Sequence, residues 1–199
     1  MKKLFILILV VGIVCYWVYG RREKIKNFPN TNQAVVAFGD SLTEGYGAAR
    51  GESYPDVLAK KINRPVVNLG RSGELAVQAP ARLDDVLDEE PYMVLIEFGA
   101  NDFMQHKSTQ AAVEAVAKIV DEVQAAGAIA VIVNTGGPGM GDYTKAYKKM
   151  AREKGALYVP VILKGIFYRQ KYKSDQVHPN AQGYEKVAEK VYKVIKDYL

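Results

Sequence analysis

The feature that most constrains this chain is an alternation that begins near residue 33 and runs to the C-terminus. Short apolar, β-branched runs take turns with longer stretches whose apolar residues recur at helical spacing. Gln33 to Phe38, Pro65 to Leu69, Tyr92 to Phe98, Ala128 to Val133 and Ala156 to Val161 read as strands. They are apolar almost throughout, which is the pattern of strands buried on both faces. Between them, Tyr54 to Ile62, Leu75 to Leu87 and Tyr143 to Glu153 read as helices, as does a long segment capped by Ser108 and ending at Ala126 before Gly127. The last helix places Tyr184, Val187, Ala188, Val191, Val194, Ile195 and Tyr198 on one face. This order predicts a three-layer α/β/α sandwich around a five-stranded parallel sheet. A length of 199 residues with 49% hydrophobic content suits one such domain.

The N-terminus stands apart. Lys2 and Lys3 precede an uncharged apolar run from Leu4 to Tyr19, and Arg21, Arg22, Lys24 and Lys26 follow it. A spanning helix takes about 20 apolar residues and no fewer than about 17. Tyr16, Trp17 and Tyr19 gather at the far end of the run, as interfacial aromatics do. Residues 1–20 are therefore expected to be a membrane anchor, with a cleaved export signal as the alternative. Residues 21–32 read as a polar linker and 33–199 as the folded domain. Cations flank both ends of the run, so charge does not orient it. The domain is expected on the extracytoplasmic side, since short N-terminal signals on small domains usually serve export.

Charge narrows the partners. The net charge is +5, from 27 Lys and Arg against 22 Asp and Glu, but the cations are scattered and interleaved with acids. Nucleic-acid binding needs them concentrated on a face or run, so none is expected. Cys15 is the sole cysteine, which excludes an intramolecular disulfide and a Cys-rich metal site.

In parallel sheets of this kind ligands sit beyond the carboxyl ends of the strands. Gly39-Asp40-Ser41-Leu42 follows the first strand, and Asn68-Leu69-Gly70-Arg71-Ser72-Gly73 closes and follows the second. Gly99-Ala100-Asn101-Asp102 follows the third, and Asp175-Gln176-Val177-His178-Pro179 precedes the last helix. A serine hydroxyl attacks poorly until a base takes its proton. Ser41 sits at a strand exit, although a turn or capping serine has the same local look. His178 is one of only two histidines and can act as a base near neutral pH. Asp175, three residues earlier, can fix the imidazole tautomer, or can equally be a capping residue of a turn. His106 reads as a surface-loop residue, Glu44 as a loop residue, and Asp40 and Asp102 as structural acids bonding local N–H groups. Gly136-Gly137-Pro138-Gly139-Met140-Gly141 lacks the spacing and the lysine of a phosphate loop, and reads as a mobile loop beside a pocket.

Taken together and in this order, these blocks resemble those of the SGNH (GDSL) hydrolases, and the resemblance spans Val35 to Leu199. It is closest to the bacterial thioesterase, lysophospholipase and arylesterase branch. The resemblance implies a flavodoxin-like SGNH hydrolase fold and a Ser41, His178 and Asp175 triad acting without cofactor or metal. It assigns the oxyanion donors to the backbone N–H groups of Ser41 and Gly73 and the side-chain amide of Asn101, with Gly70 as a turn residue. The expected substrate is a small acyl ester or thioester: an aryl or short-chain ester, a lysophospholipid or an acyl thioester. A carbohydrate O-acetylesterase uses the same residues, and a binding module could keep the fold without the chemistry. A flavin or nucleotide binder shares the sheet layout but wants phosphate where Asp40 stands. Tyr46, Phe103, Met104, Met140 and Tyr143 are expected to line the cleft and lean it towards apolar substrates.

Overall fold

The structure, a computed structural model, describes residues 24–199. The segment expected to anchor the chain, Cys15 included, lies outside these residues. Among the described residues no helix is long and apolar enough to cross a membrane.

Five strands form one parallel sheet: β1 (Ala34–Gly39), β2 (Val66–Gly70), β3 (Pro91–Glu97), β4 (Ile129–Val133) and β5 (Leu157–Val159), in the order β2-β1-β3-β4-β5. The helices are α1 (Ser41–Glu44), α2 (Tyr54–Ile62), α3 (Leu83–Leu87), α4 (Ala100–Met104), α5 (Thr109–Ala125), α6 (Gly141–Lys154) and α7 (Ala181–Ile195). Local chemistry fixes where they begin. Ser53 and Asp56 form a reciprocal capping box on α2, Ser108 caps α5 by accepting from Ala111 N–H, and Asn180 caps α7 by accepting from Gly183 N–H.

Two expected elements differ. The helix anticipated over Leu75 to Leu87 is broken into a turn, a 3₁₀ segment at Ala79–Arg82 and the short α3. Pro80 has no N–H to offer a preceding turn, and the Gln78 side chain instead takes the Leu75 N–H. The last strand stops at Val159, because Pro160 cannot donate to a ladder.

Alternate residues of each strand enter two cores. Val36, Phe38, Val94, Ile96 and Ile132 pack under α5 and α6, with Val116, Ile119, Tyr143 and Tyr147 against them. Val35, Ala37, Leu95, Val131 and Val159 pack under α2 and α7, with Tyr54, Leu58, Tyr184 and Val187. The three layers follow directly from this period of two.

The described part of the stretch read as a linker lies against the domain. Asn27 donates to the carbonyls of Gln124 and Ala128, Asn30 to those of Tyr92 and Gly127, and Asn32 to that of Pro91. These carboxamides satisfy carbonyls near the amino ends of β3 and β4, away from the edge where the conspicuous loops emerge. At the opposite edge the chain passes from β2 on one side of β1 to β3 on the other. Loops leaving β1 and its neighbours therefore diverge and open a crevice there.

Candidate active site

Ser41 is the first residue of α1 and is almost buried, with 9% of its surface exposed. The Asp40 side chain caps this turn, accepting from Leu42 N–H at 2.9 Å. Gly39 makes the turn possible: a Cβ there would sit 2.1 Å from Thr43 Oγ1 and 2.6 Å from the Glu97 carbonyl oxygen. No residue but glycine lets the chain fold back so closely at the end of a buried strand.

Ser41 Oγ lies 3.0 Å from His178 Nε2, and His178 Nδ1 lies 2.7 Å from Asp175 Oδ2. A carboxylate only accepts hydrogen bonds, so Nδ1 carries the proton and Nε2 is free to accept from the serine hydroxyl. The other Asp175 oxygen accepts from the N–H groups of Val177 and His178, both at 2.7 Å. Pro179 pairs with Lys173 ahead of the Asn180 cap, so α7 begins later than Pro179. Partial burial pushes the Asp175 carboxyl up, but the hydrogen bonds from His178 and Val177 outweigh it and hold the group down at about 2. Tyr46 leans on the imidazole, ring centroids 4.5 Å apart, and is itself fixed where Tyr184 OH donates to its carbonyl.

The Asn101 side chain faces the same crevice from α4. Its Nδ2 donates to Asp40 Oδ2 at 3.2 Å and to the Glu74 carbonyl at 3.0 Å. Among the described residues the N–H groups of Ser41 and Gly73 donate no hydrogen bond. Gly73 has φ +78° and open space where a Cβ would project. Asp40 bonds a local N–H, and Asp102 bonds its own N–H and reaches further: it accepts from Ala76 N–H at 2.8 Å and ties α4 to the loop after β2.

That loop is held from beneath. Arg82 Nε donates to both Glu74 carboxylate oxygens, at 2.8 and 3.0 Å, and Nη1 donates to the Leu69 carbonyl at 2.8 Å. A further Nη2 contact reaches the Gly39 carbonyl at 3.3 Å, and the guanidinium lies 4.4 Å over the Phe38 ring. Both side chains are more than nine-tenths buried. Arg82→Met leaves the Glu74 charge buried and alone, and is expected to cost about 3–5 kcal/mol of stability. Urea unfolding reads this as a lower midpoint with an unchanged slope. A loss below about 1 kcal/mol, the range of solvent-screened pairs, would mean that water reaches Glu74.

Ser41, Asn101 and His178 form one end of a cleft whose walls are Leu42, Phe103, Met104, Met140, Leu163, Phe167 and Val177, with Thr135 and the backbone of Gly136 to Pro138. Its volume is about 120 Å³. Gly136, Gly137, Pro138, Leu163 and Phe167 also line a second hollow of about 330 Å³, which runs on to Val161, Lys164 and Tyr168. Of the five side chains expected along the cleft, Phe103, Met104 and Met140 line it. Tyr143 does not: it is a core residue behind the cleft, packed edge-on to Phe103 and Tyr147 because its position on α6 faces the sheet. Tyr46 covers His178 instead of lining the cleft. Leu163 and Phe167 carry no signal in the sequence, because the loop after β5 has no periodicity to mark which side chains turn inward. His106 is exposed, with φ +52°.

The sequence profile of the GDSL-like lipase/acylhydrolase family matches residues 37–186. The chain is 28% identical over 156 residues to thioesterase 1/protease 1/lysophospholipase L1 of Escherichia coli K12, covering 73% of this chain and 75% of that one. It is 25% identical over 180 residues to esterase TesA of Pseudomonas aeruginosa, covering 84% and 90% respectively. A crystal structure of TesA superposes with a TM-score of 0.79 at 24% identity, over 84% of this chain and all of the other, and shares the fold.

Proposed function

The chain belongs to the GDSL-like lipase/acylhydrolase family, and from that premise we propose that it is a serine esterase that hydrolyses acyl esters or thioesters through an acyl-Ser41 intermediate. The observation that carries this reading is the unbroken line from Ser41 Oγ through His178 to Asp175 at the mouth of an apolar cleft. Ser41 attacks the acyl carbonyl while His178 Nε2 takes its proton, and Asp175 stabilises the imidazolium. The tetrahedral oxyanion is held by the N–H groups of Ser41 and Gly73 and by Asn101, whose long hydrogen bond to Asp40 is the one given up. His178 then protonates the leaving alcohol or thiol, and water repeats the cycle on the acyl-serine.

The acyl chain runs from Ser41 past Met140 and Phe167 towards Tyr168. This lining favours a hydrocarbon chain over a sugar acetate, because a sugar ring would leave its hydroxyls without partners. For p-nitrophenyl esters from acetate to palmitate, kcat/KM is expected to rise by up to about fourfold per CH₂ until the cleft is filled, the equivalent of about 0.8 kcal/mol for each buried methylene. A Cβ at Gly137 would meet only Met140 Sδ, at 3.6 Å, so Gly137→Phe can fold and block the cleft. It is expected to lower turnover of the longer esters and to spare the acetate. Rates indifferent to chain length in both proteins would remove the acyl chain from this groove.

A further inference from the structure

Glu97 ends β3 with no exposed surface, in a strand otherwise apolar from Tyr92 to Ile96. The serine cycle described above does not use it. Its carboxyl lies directly beneath the nucleophile turn. Thr43 Oγ1 donates to Glu97 Oε2 at 3.1 Å, Thr135 donates to Oε1, and Tyr54 OH meets Thr43 Oγ1 at 3.3 Å. The Asp40 carboxyl, 1% exposed, is within hydrogen-bonding reach of it.

Two carboxylates in a dry interior need a cation or a proton between them. Among the described residues neither forms an ion pair. The nearby titratable groups are Tyr54 on α2, Asp102 on α4, Tyr147 on α6 and Tyr184 on α7, each an acid or a phenol. Arg82 reaches the Gly39 carbonyl but is spent on Glu74. The cluster is no cation site either, since no group of three His, Cys, Asp or Glu among the described residues could hold a metal. Burial first, and the neighbouring Glu97 charge second, push the Asp40 carboxyl well up, and burial pushes Glu97 up as well.

We propose that Glu97 is a positioning residue that shares one proton with Asp40, so that the pair carries a single negative charge beneath Ser41 and leaves the Asn101 amide free for the oxyanion. The chemistry follows from what Asp40 touches. One of its oxygens sets the first turn of α1, and the other competes for an Asn101 hydrogen. A fully charged Asp40 would hold that hydrogen and repel the oxyanion. With a proton shared towards Glu97, its pull on Asn101 weakens while the turn stays capped. The inference rests on the serine-esterase reading for its kinetic consequence, but the shared proton itself does not.

The test uses the full chain and two variants. Glu97→Gln keeps a donor facing Asp40 and, with Asp40 ionised, the same net charge as the singly protonated pair, while Glu97→Met keeps that charge and the side-chain length but removes the donor. Titrating Ser41 with a reactive phosphonate counts active sites, so kcat can be read per working site. Glu97→Gln is expected to stay within about threefold of the parent, and Glu97→Met to lose about 100-fold in kcat with little change in KM, as small misplacements of catalytic groups do. An infrared band of a protonated carboxyl at neutral pH is expected in the parent and absent in Glu97→Gln. A parent protein with no such band overturns the proposal whether or not the variants fold. So does Glu97→Met with an unchanged kcat per site, or Glu97→Gln as impaired as Glu97→Met. A parent in which Ser41 takes no phosphonate contradicts the esterase reading instead, and the infrared band still decides the shared proton.

Discussion

Ser41→Ala is expected to lower kcat for ester hydrolysis by about 10⁶-fold and to leave the fold intact, as removing the nucleophile of a serine triad does. The side chain forms one hydrogen bond, to His178 Nε2, and packs no part of either core. Alanine therefore removes the attacking atom at little structural cost, and the thermal midpoint should move by no more than a degree or two for a change of about a few tenths of a kcal/mol. His178→Ala should cost about as much, and the double variant should be scarcely worse than either single one, because groups that act as a unit are strongly non-additive. Purified single and double variants assayed on one ester decide this. If the two losses multiplied, Ser41 and His178 would be acting in separate steps, and the line drawn from their 3.0 Å contact would be wrong.

The second large effect is at Asp175. Asp175→Asn is expected to lower kcat by about 10⁴-fold, because it changes the tautomer of His178. The Asn oxygen can still take the N–H groups of Val177 and His178, so the loop keeps its shape. Its amide nitrogen must donate to Nδ1, which pushes the imidazole proton onto Nε2, facing Ser41. The variant therefore loses the base while keeping the ring in place, and nitrogen-resolved NMR of the imidazole reads the change of tautomer directly. A variant with near-normal kcat would make Asp175 a loop residue only. The native carboxylate also sets a pH window. Its folded value of about 2 lies below the ordinary 3.8, so its contribution to stability is complete above the unfolded value. That contribution is lost as pH falls from near 4 through about 2. Asp175→Asn should flatten this part of the acid-unfolding curve.

The strands, most helices and the grouping of side chains at the sheet edge are legible because each rests on a short-range rule. Period and apolar content located β1 to β5, and the rule that sites gather beyond the carboxyl ends of parallel strands picked out Ser41, Asn101 and the Asp175 to His178 loop. What stayed hidden depends on contacts between distant segments. Glu97 reads as the tail of an apolar strand, and nothing local says that Asp40 and Thr43 of the nucleophile turn and Thr135 of the loop after β4 converge on it. Tyr143 opens the helix that the spacing predicts beside the glycine-rich loop, but its side chain sits on the sheet-facing side of α6, while Leu163 and Phe167 reach the cleft from a loop without pattern. The apolar spacing from Leu75 to Leu87 favours one continuous helix, but Pro80 lacks the N–H that its middle turn needs. Asp102 bonds its own N–H as its type favours, but it also takes that of a residue 26 positions away.

The central claim is that Ser41 carries the acyl group. Quenching the full chain in acid during turnover of a p-nitrophenyl ester, then digesting it and weighing the peptides, tests this most directly. The account predicts that the peptide holding Ser41 gains the mass of the acyl group, and that the gain disappears in Ser41→Ala and decays as the ester is consumed. Steady hydrolysis with the acyl mass on another residue, or with no acyl-peptide under conditions where deacylation is slowed, would contradict it.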